Sequence, residues 1–149
     1  MKTYMNTVSS ALISVIAIAV SAFPVAEAGE ASAAKLQITN IRSVEGNMMI
    51  ALFNSEESWT AHKPVQARVI PVTSTDFEAV FENLEPGTYG VKVFQDVNAD
   101  GKLNTKLTGI PKEPYAFSND APVRFGPPKW EDAQFEIKTG ETQHSLTLK

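Results

Sequence analysis

Oxygen-bearing side chains recur at every second position of one short segment, and Gly101 follows them directly. A calcium ion is a hard cation that takes six to eight oxygen ligands at about 2.3–2.6 Å, so the chain that binds it has to wrap around it. Glycine allows the sharp turn because it has no Cβ and adopts positive φ readily. The spacing therefore predicts a calcium site with these ligands: Asp96, Asn98, Asp100, the backbone carbonyl of Lys102, and Asn104.

The predicted calcium loop lacks its last ligand. A helix–loop–helix site carries a bidentate glutamate at its twelfth position, but here that position is Leu107. Pro111 and Pro114 exclude a long helix after the loop, because an interior proline removes a hydrogen bond and clashes with the preceding turn. One or two ligands therefore have to come from more distant acids, and four candidates remain open: Glu113, Asp120, Glu131 and Asp132.

The local ligands include only two carboxylates, those of Asp96 and Asp100. This low ligand charge indicates weak binding, with a dissociation constant on the order of 10⁻⁴–10⁻³ M, the range of extracellular calcium modules. The competing interpretation is a polar turn without an ion, since Asp, Asn and Gly are also the commonest turn residues. Three oxygens in strict alternation before a glycine favour the calcium site.

A second candidate site follows the loop, where aromatic and hydrogen-bonding side chains mix behind Pro114. Either Tyr115, Phe117 and Asn119 line a small ligand cleft beside the metal, or the two rings cover an open end of the fold and Asn119 caps a turn. We favour the second interpretation, because aromatic side chains mostly bury core surface. The first would allow a carboxylate-dependent hydrolase, in which Glu113 meets a second acid of raised pKa in a deep cleft.

The sequence predicts no catalytic residue. It contains no cysteine, which excludes thiol catalysis. The Gly-x-Ser-x-Gly and His-Glu-x-x-His patterns are also absent. His62 and His144 are the only histidines, and surface placement is the expectation for both. We therefore favour a binding role, or a purely structural accessory role, over an enzyme.

The N-terminus has the pattern of a secretory signal peptide. Lys2 precedes an apolar core at 11–20, and Ala26-Glu27-Ala28 fits the small-x-small cleavage rule. A retained membrane anchor is the alternative, but serines interrupt the apolar segment, and about 20 apolar residues are needed to span a bilayer. We expect a signal peptide at 1–28, a flexible leader at 29–34 and one domain at 35–149, in a periplasmic or secreted protein with no stable membrane anchor after cleavage.

Charge argues against two classes of partner. The chain has 17 acidic and 13 basic residues, a net charge of −4, with no cluster of Lys and Arg. Nucleic acid and anionic membranes attract basic patches, so neither is an expected partner. An exported protein without disulfides suits a bacterial envelope. The expected partner is another envelope protein or a small ligand.

The elements that must position these sites are strands. Apolar residues recur with period two in seven short runs, of which the run 88–94 is the clearest and leads straight into Asp96. Pro71 cannot donate to a ladder, so its run is expected at a sheet edge. No helical periodicity of any length follows the signal peptide. The pattern predicts an all-β fold, an antiparallel β-sandwich of about seven strands, immunoglobulin-like or transthyretin-like.

Three motifs in order carry a family resemblance: Phe81–Val91 with its Leu-Glu-Pro-Gly-Thr-Tyr core, the loop Asp96–Asn104, and Gly109–Asn119 followed by Pro128–Ala133. Together they resemble the bacterial domain of unknown function 2141 family. Members of that family are typically short exported proteins without an established activity. The resemblance therefore implies an exported, single-domain protein and supplies no mechanism.

Overall fold

The computed structural model describes residues 31–149, which form two stacked sheets. Its strands are β1 (Ser32–Thr39), β2 (Asn47–Phe53), β3 (Gln66–Pro71), β4 (Phe77–Leu84), β5 (Gly87–Asp96), β6 (Tyr115–Phe117), β7 (Phe135–Ile137) and β8 (Glu141–Thr147). Two short helices, α1 (Glu56–Thr60) and α2 (Trp130–Ala133), and a 3₁₀ turn, Ser118–Asp120, lie between strands. The signal peptide expected at 1–28 lies outside the described residues.

The all-β sandwich predicted from the sequence is confirmed. One sheet has the order β4-β1-β8 and the other β3-β2-β5-β6, with β7 pairing to β5 beside β6. The structure differs from the expectation in one pairing: β1 and β8 run parallel, while all the other strand pairs are antiparallel. Strand β3, which ends at Pro71, is an edge strand.

Strand β1 begins earlier than the sequence indicates. The segment 29–34 was expected as a flexible leader, but β1 starts at Ser32, and Ala34 is fully buried. Ala34 pairs with Phe81 of β4 on one side and with Thr142 of β8 on the other. Because both neighbours satisfy its backbone groups, 32–34 belong to the sheet and not to the leader.

Alternating side chains of the two sheets form the main core. In β4, Phe77, Ala79 and Phe81 point inward while their neighbours are exposed. They face the inward residues of β2 and β5, including Ile50 and Val91. Burial of this apolar surface is the main term that stabilises the sandwich.

Strand β5 is the element that connects the core to both candidate sites. It pairs with β2 along most of its length, and its other edge is shared by β7 near Gly87 and by β6 near Lys92. At the junction of the two short strands, the Ser118 hydroxyl accepts a hydrogen bond from the Val91 N–H at 2.9 Å and donates to the Ala133 carbonyl. The Ser118 side chain therefore supplies the hydrogen-bond acceptor for β5 at the point where neither short strand does.

Helices α1 and α2 lie at one end of the five-stranded sheet and build a second apolar cluster. Its buried members are Phe53, Trp59, Ala121 and Ala133. Ser55 caps α1 by accepting a hydrogen bond from the Ser58 N–H at 3.2 Å. Within residues 31–149, no helix has the length and apolar character required to cross a membrane.

Candidate functional site: the loop after β5 and the outer groove

The predicted calcium loop begins at the last residue of β5. The Asp96 side chain is turned back into the loop and is only 1% exposed. Its carboxylate accepts hydrogen bonds from the N–H groups of Asp100, at 3.1 Å, and Gly101, at 2.8 Å. Ala99 adopts φ +56° and Gly101 adopts φ +79°. The chain therefore turns sharply at both residues, which brings these N–H groups back to the Asp96 carboxylate. The glycine has the conformation that the sequence predicts for it.

The segment before β2 fixes the start of the loop. Gly46 lies so close to β5 that a Cβ there would be 1.9 Å from the Asp96 carbonyl oxygen. The buried Gln95 amide donates to the carbonyls of Ser43, at 2.8 Å, and Glu45, at 2.9 Å. These contacts hold the end of β5 in place, and with it the Asp96 carboxylate.

Three of the predicted ligands converge on the exposed side of the loop. The Asn98 amide donates to Asn104 Oδ1 at 3.0 Å and to Asp100 Oδ2 at 3.2 Å, and the Asn104 amide donates to the same Asp100 oxygen at 3.0 Å. The Asn104 amide and the other donors around Asp100 hold the pKa of that carboxyl below its usual value. The Lys102 N–H donates to the second Asp100 oxygen at 2.9 Å.

Glu113 is the distant acid that folds back onto the loop. Its side chain is 8% exposed, and its two oxygens accept hydrogen bonds from the Val97 N–H at 3.0 Å and the Asn104 N–H at 2.8 Å. Backbone bonds bring it there: the Gln95 N–H donates to Pro114, and the Lys112 N–H donates to Asn104. One carboxylate therefore ties the two ends of the loop together.

The other three candidate ligands have different surroundings. Asp120 accepts hydrogen bonds from the N–H and the hydroxyl of Thr147, at 2.8 and 3.2 Å. Glu131 and Asp132 are exposed in the first turn of α2. Among residues 31–149, no group of three or more His, Cys, Asp or Glu side chains is close enough to hold a metal ion as the side chains now stand.

The second candidate site lies on the outer face of the five-stranded sheet, where a cavity of about 410 Å³ opens between loops. We call it the outer groove. Tyr115 and Phe117, which were expected to cover an open end of the fold, line this groove from β6. Asn119 does not line it: its amide donates to the carbonyls of Asp132 and Gln134, and it has φ +59°.

The strand register arranges the floor of the outer groove in two rows. Across β3, β2, β5 and β6, one row reads Ala67, Ala51, Lys92, Phe117, and the next reads Val69, Met49, Phe94, Tyr115. Leu103 from the predicted calcium loop, together with Pro64 and Pro127, forms walls. These two rows carry one charge, that of Lys92, and Arg68 and His62 also line the cavity.

Lys92 is the functional candidate that the sequence did not indicate. Its ammonium lies 4.3 Å from the centre of the Trp59 ring and 4.7 Å from that of Phe53. It donates to the Trp59 carbonyl at 2.8 Å and lies 3.2 Å from His62 Nδ1. Burial lowers the pKa of Lys92 to about 8. The faces of the Trp59 and Phe53 rings favour a higher pKa, because a cation over an aromatic face is stabilised.

Gly90 makes room for the aromatic rings beside Lys92. A Cβ at this position would lie 2.8 Å from Trp130 and 3.0 Å from Trp59. The two indole rings meet edge to face, with 5.9 Å between their centres. In the sequence, the only signal for this arrangement is a lysine at an outward position of an otherwise apolar face.

The two histidines do not share a site. His62 is exposed beside Lys92, whereas His144 is half-buried and stacks on Phe135 with 4.0 Å between ring centres. Burial lowers the pKa of His144, although the negative charge of Asp120 raises it in part. His144 Nε2 accepts a hydrogen bond from the Asn119 N–H at 3.2 Å, which requires the neutral ring.

A comparison with protein families finds a match over most of the described domain. The model of a family described as an uncharacterised protein conserved in bacteria matches residues 36–145, nearly the whole described domain. No curated protein matches the chain. No solved structure matches it either.

Proposed function

The chain belongs to the bacterial domain of unknown function 2141 family, and from that premise we propose that it is an exported binding module of the bacterial envelope, with a calcium ion that stabilises its loop. The observation that supports the ion most directly is the return of Glu113 to the loop. This carboxylate bonds to the backbone at both ends of the segment that carries Asp96, Asn98, Asp100 and Asn104.

The chemistry of the donor set fits a hard cation. Its side chains offer only carboxylate and amide oxygens, which suit calcium better than softer metals. Asn98, Asp100 and Asn104 already meet within 3.0–3.2 Å of one another. A half-turn of each amide would present oxygens where the nitrogens now lie, and Glu113 would supply the acid missing from the local sequence.

Binding requires the loop to exchange partners, which limits its strength. Asp96 and Glu113 each accept two backbone N–H bonds, and Asp100 accepts two amide bonds and one backbone bond. An ion has to compete with these donors for the same oxygens. We therefore expect a dissociation constant on the order of 10⁻⁴–10⁻³ M.

The binding role rests on the outer groove, which adjoins the loop through Leu103. By ordering the loop, the ion would hold this wall of the groove in place. The hydrolase alternative has no specific support, since both oxygens of Glu113 are engaged by backbone N–H groups and Glu113 does not line the outer groove.

Thermal unfolding in EDTA and in about 10 mM calcium tests the ion. At a concentration 10 to 100 times the dissociation constant, a ligand stabilises the native state by about 1.4–2.7 kcal/mol. For a domain of this size, that corresponds to a rise in melting temperature of several degrees. Magnesium should give a smaller shift, because it demands near-ideal octahedral geometry.

Two variants test whether the calcium-dependent rise in melting temperature comes from this loop. Asp100→Ala is expected to abolish it, because Asp100 is the carboxylate of the exposed side. Glu131→Ala, which removes an exposed acid of α2, should leave it unchanged. Equal melting temperatures in EDTA and calcium would disprove calcium binding, and a shift that survives Asp100→Ala would place the ion elsewhere.

A further inference from the structure

We propose that the outer groove binds a small amphipathic monocarboxylate, whose acid group pairs with Lys92 and whose apolar body lies along Met49, Phe94 and Tyr115. This inference names a ligand for the binding role proposed above and rests on that role. It does not depend on calcium.

The first argument is a charge without a counter-charge. Within residues 31–149, the only ion pair closer than 4.0 Å joins Lys35 to Glu78, so Lys92 has no carboxylate partner there. None of the acidic residues within 31–149 lines the outer groove. Burying an unpaired charge is costly. A carboxylate brought by a ligand would supply the missing partner, and the low local polarity strengthens such a pair.

The second argument is the shape of the floor. In the row that contains Lys92, its neighbours on β2 and β3 are Ala51 and Ala67, whose small side chains line the groove beside it. The next row is formed by Val69, Met49, Phe94 and Tyr115 and carries no charge. Rows of one sheet face are about 6.6–6.8 Å apart, so a charged head and an apolar body fit side by side.

The third argument is size. The cavity of about 410 Å³ lies within the range of about 300–1,000 Å³ that small-molecule sites occupy. Beyond Tyr115 and Phe117, the groove continues into a second cavity between two loops, with the exposed apolar residues Ile110 and Phe125 along it. An unbranched alkyl chain could extend from the Lys92 end in that direction.

The probe is decanoate, with decanol as its uncharged match and decyltrimethylammonium as its cationic match. The two tryptophans of the chain are Trp59 and Trp130, both in the cluster beside Lys92, so intrinsic fluorescence reports directly on the site. We expect decanoate to bind at least about tenfold more tightly than decanol, a difference of about 1.4 kcal/mol. The cation should bind least.

Variants separate the charge from the apolar floor. Lys92→Met should reduce decanoate affinity to that of decanol and leave decanol affinity unchanged, which also shows that the groove is intact. Lys92→Arg should retain the preference for the anion. Lys138→Met, at an exposed position after β7, is the matched control and should bind as the wild type does. The same titrations in EDTA separate a failure of this inference from a failure of the calcium site.

The wild type gives a second test that needs no variant. Raising the pH through about 8 neutralises Lys92, so decanoate affinity should fall while decanol affinity stays constant. The other titratable groups facing Lys92 are His62 and, across the neighbouring recess, Glu56 and Lys129. Tyr115 and Arg68 line the groove itself.

Several results would overturn the inference. They are equal affinity for decanoate and decanol in the wild type, a Lys92→Met variant that still prefers the anion, or no fluorescence response to decanoate. A concentration-dependent dimer that Phe94→Ser dissociates would assign the outer face to a second copy of the chain and would likewise exclude the ligand.

Discussion

The loop at 96–104 and the outer groove adjoin the same strand but differ in how their charged side chains are compensated. In the loop, the nearly buried carboxylates of Asp96 and Glu113 each accept two backbone N–H bonds. In the groove, the Lys92 ammonium has a carbonyl and two ring faces around it but no carboxylate within 4.0 Å among residues 31–149.

The difference shows what each region needs from outside. The carboxylates of Asp96 and Glu113 are satisfied by the loop's own backbone, so the proposed ion would add stability to a segment that is already folded. Lys92 has no carboxylate partner among residues 31–149, so a ligand carboxylate would supply a counter-charge that the described domain lacks. Changes in the loop should therefore affect stability most, whereas changes in the groove should affect pH dependence and binding.

Among the substitutions near the loop, Gly46→Ala should reduce the free energy of unfolding most. The new Cβ would collide with the Asp96 carbonyl, and the residue would keep φ +65°, which is unfavourable for alanine. Overpacking and the left-handed backbone together should cost about 3 kcal/mol. Urea unfolding monitored by tryptophan fluorescence measures it.

Gly140→Ala is the matched control for this substitution. Gly140 has φ +87°, but a Cβ there would meet nothing within 4 Å. Only the backbone cost of about 1–2 kcal/mol should remain. Equal losses in the two variants would show that the close approach of Gly46 to β5 does not hold the loop.

Glu113→Ala should have the next largest effect. It leaves the N–H groups of Val97 and Asn104 without their acceptors, which should reduce the free energy of unfolding by about 2 kcal/mol. Glu113→Gln keeps one acceptor oxygen and should lose about half as much. Glu136→Ala, at an exposed position of β7, should change stability by less than about 0.5 kcal/mol. If Glu113→Ala matches that control, the carboxylate does not clamp the loop.

The sequence predicts the strand-to-loop part of this architecture well. The alternation at 88–94 predicts β5, and the run of oxygens places the turn at Gly101, because both signals are local. The choice among Glu113, Asp120, Glu131 and Asp132 could not be made from sequence. It depends on non-local backbone bonds, such as the one from Gln95 to Pro114.

Other features escape sequence reasoning for physical reasons. Period-two alternation identifies strands but carries no direction, so the parallel pairing of β1 with β8 leaves no trace in it. Lys92 alternates with apolar residues and therefore has the pattern of an ordinary solvent-facing lysine. Its surroundings are decided by helix α1, which brings Trp59 over the strand, and by Gly90, which makes room for the ring.

The environment of Lys92 in the groove can be tested by comparing the stability of the wild type and of Lys92→Met at different pH values. The pKa of Lys92 is about 8 in the folded chain and 10.5 without burial. Between these values the unfolded chain binds more protons than the folded chain, so this group makes the wild type more stable as the pH rises from 8 to 10.5. Methionine does not titrate. Any stability advantage of Lys92→Met at pH 7 should therefore shrink toward pH 10.

The expected change in the free energy of unfolding is smaller than for Gly46→Ala and Glu113→Ala. Because the side chain is only half-buried, solvent screening should reduce the effect to on the order of 1 kcal/mol. Urea unfolding of both proteins at pH 7 and pH 10 measures it, and the difference between them cancels the titration of other groups. Lys138→Met, which removes an exposed ammonium after β7, is the matched control. A constant difference for Lys92→Met would mean that the groove does not desolvate its lysine, and the contrast with the loop would then be one of shape and not of charge.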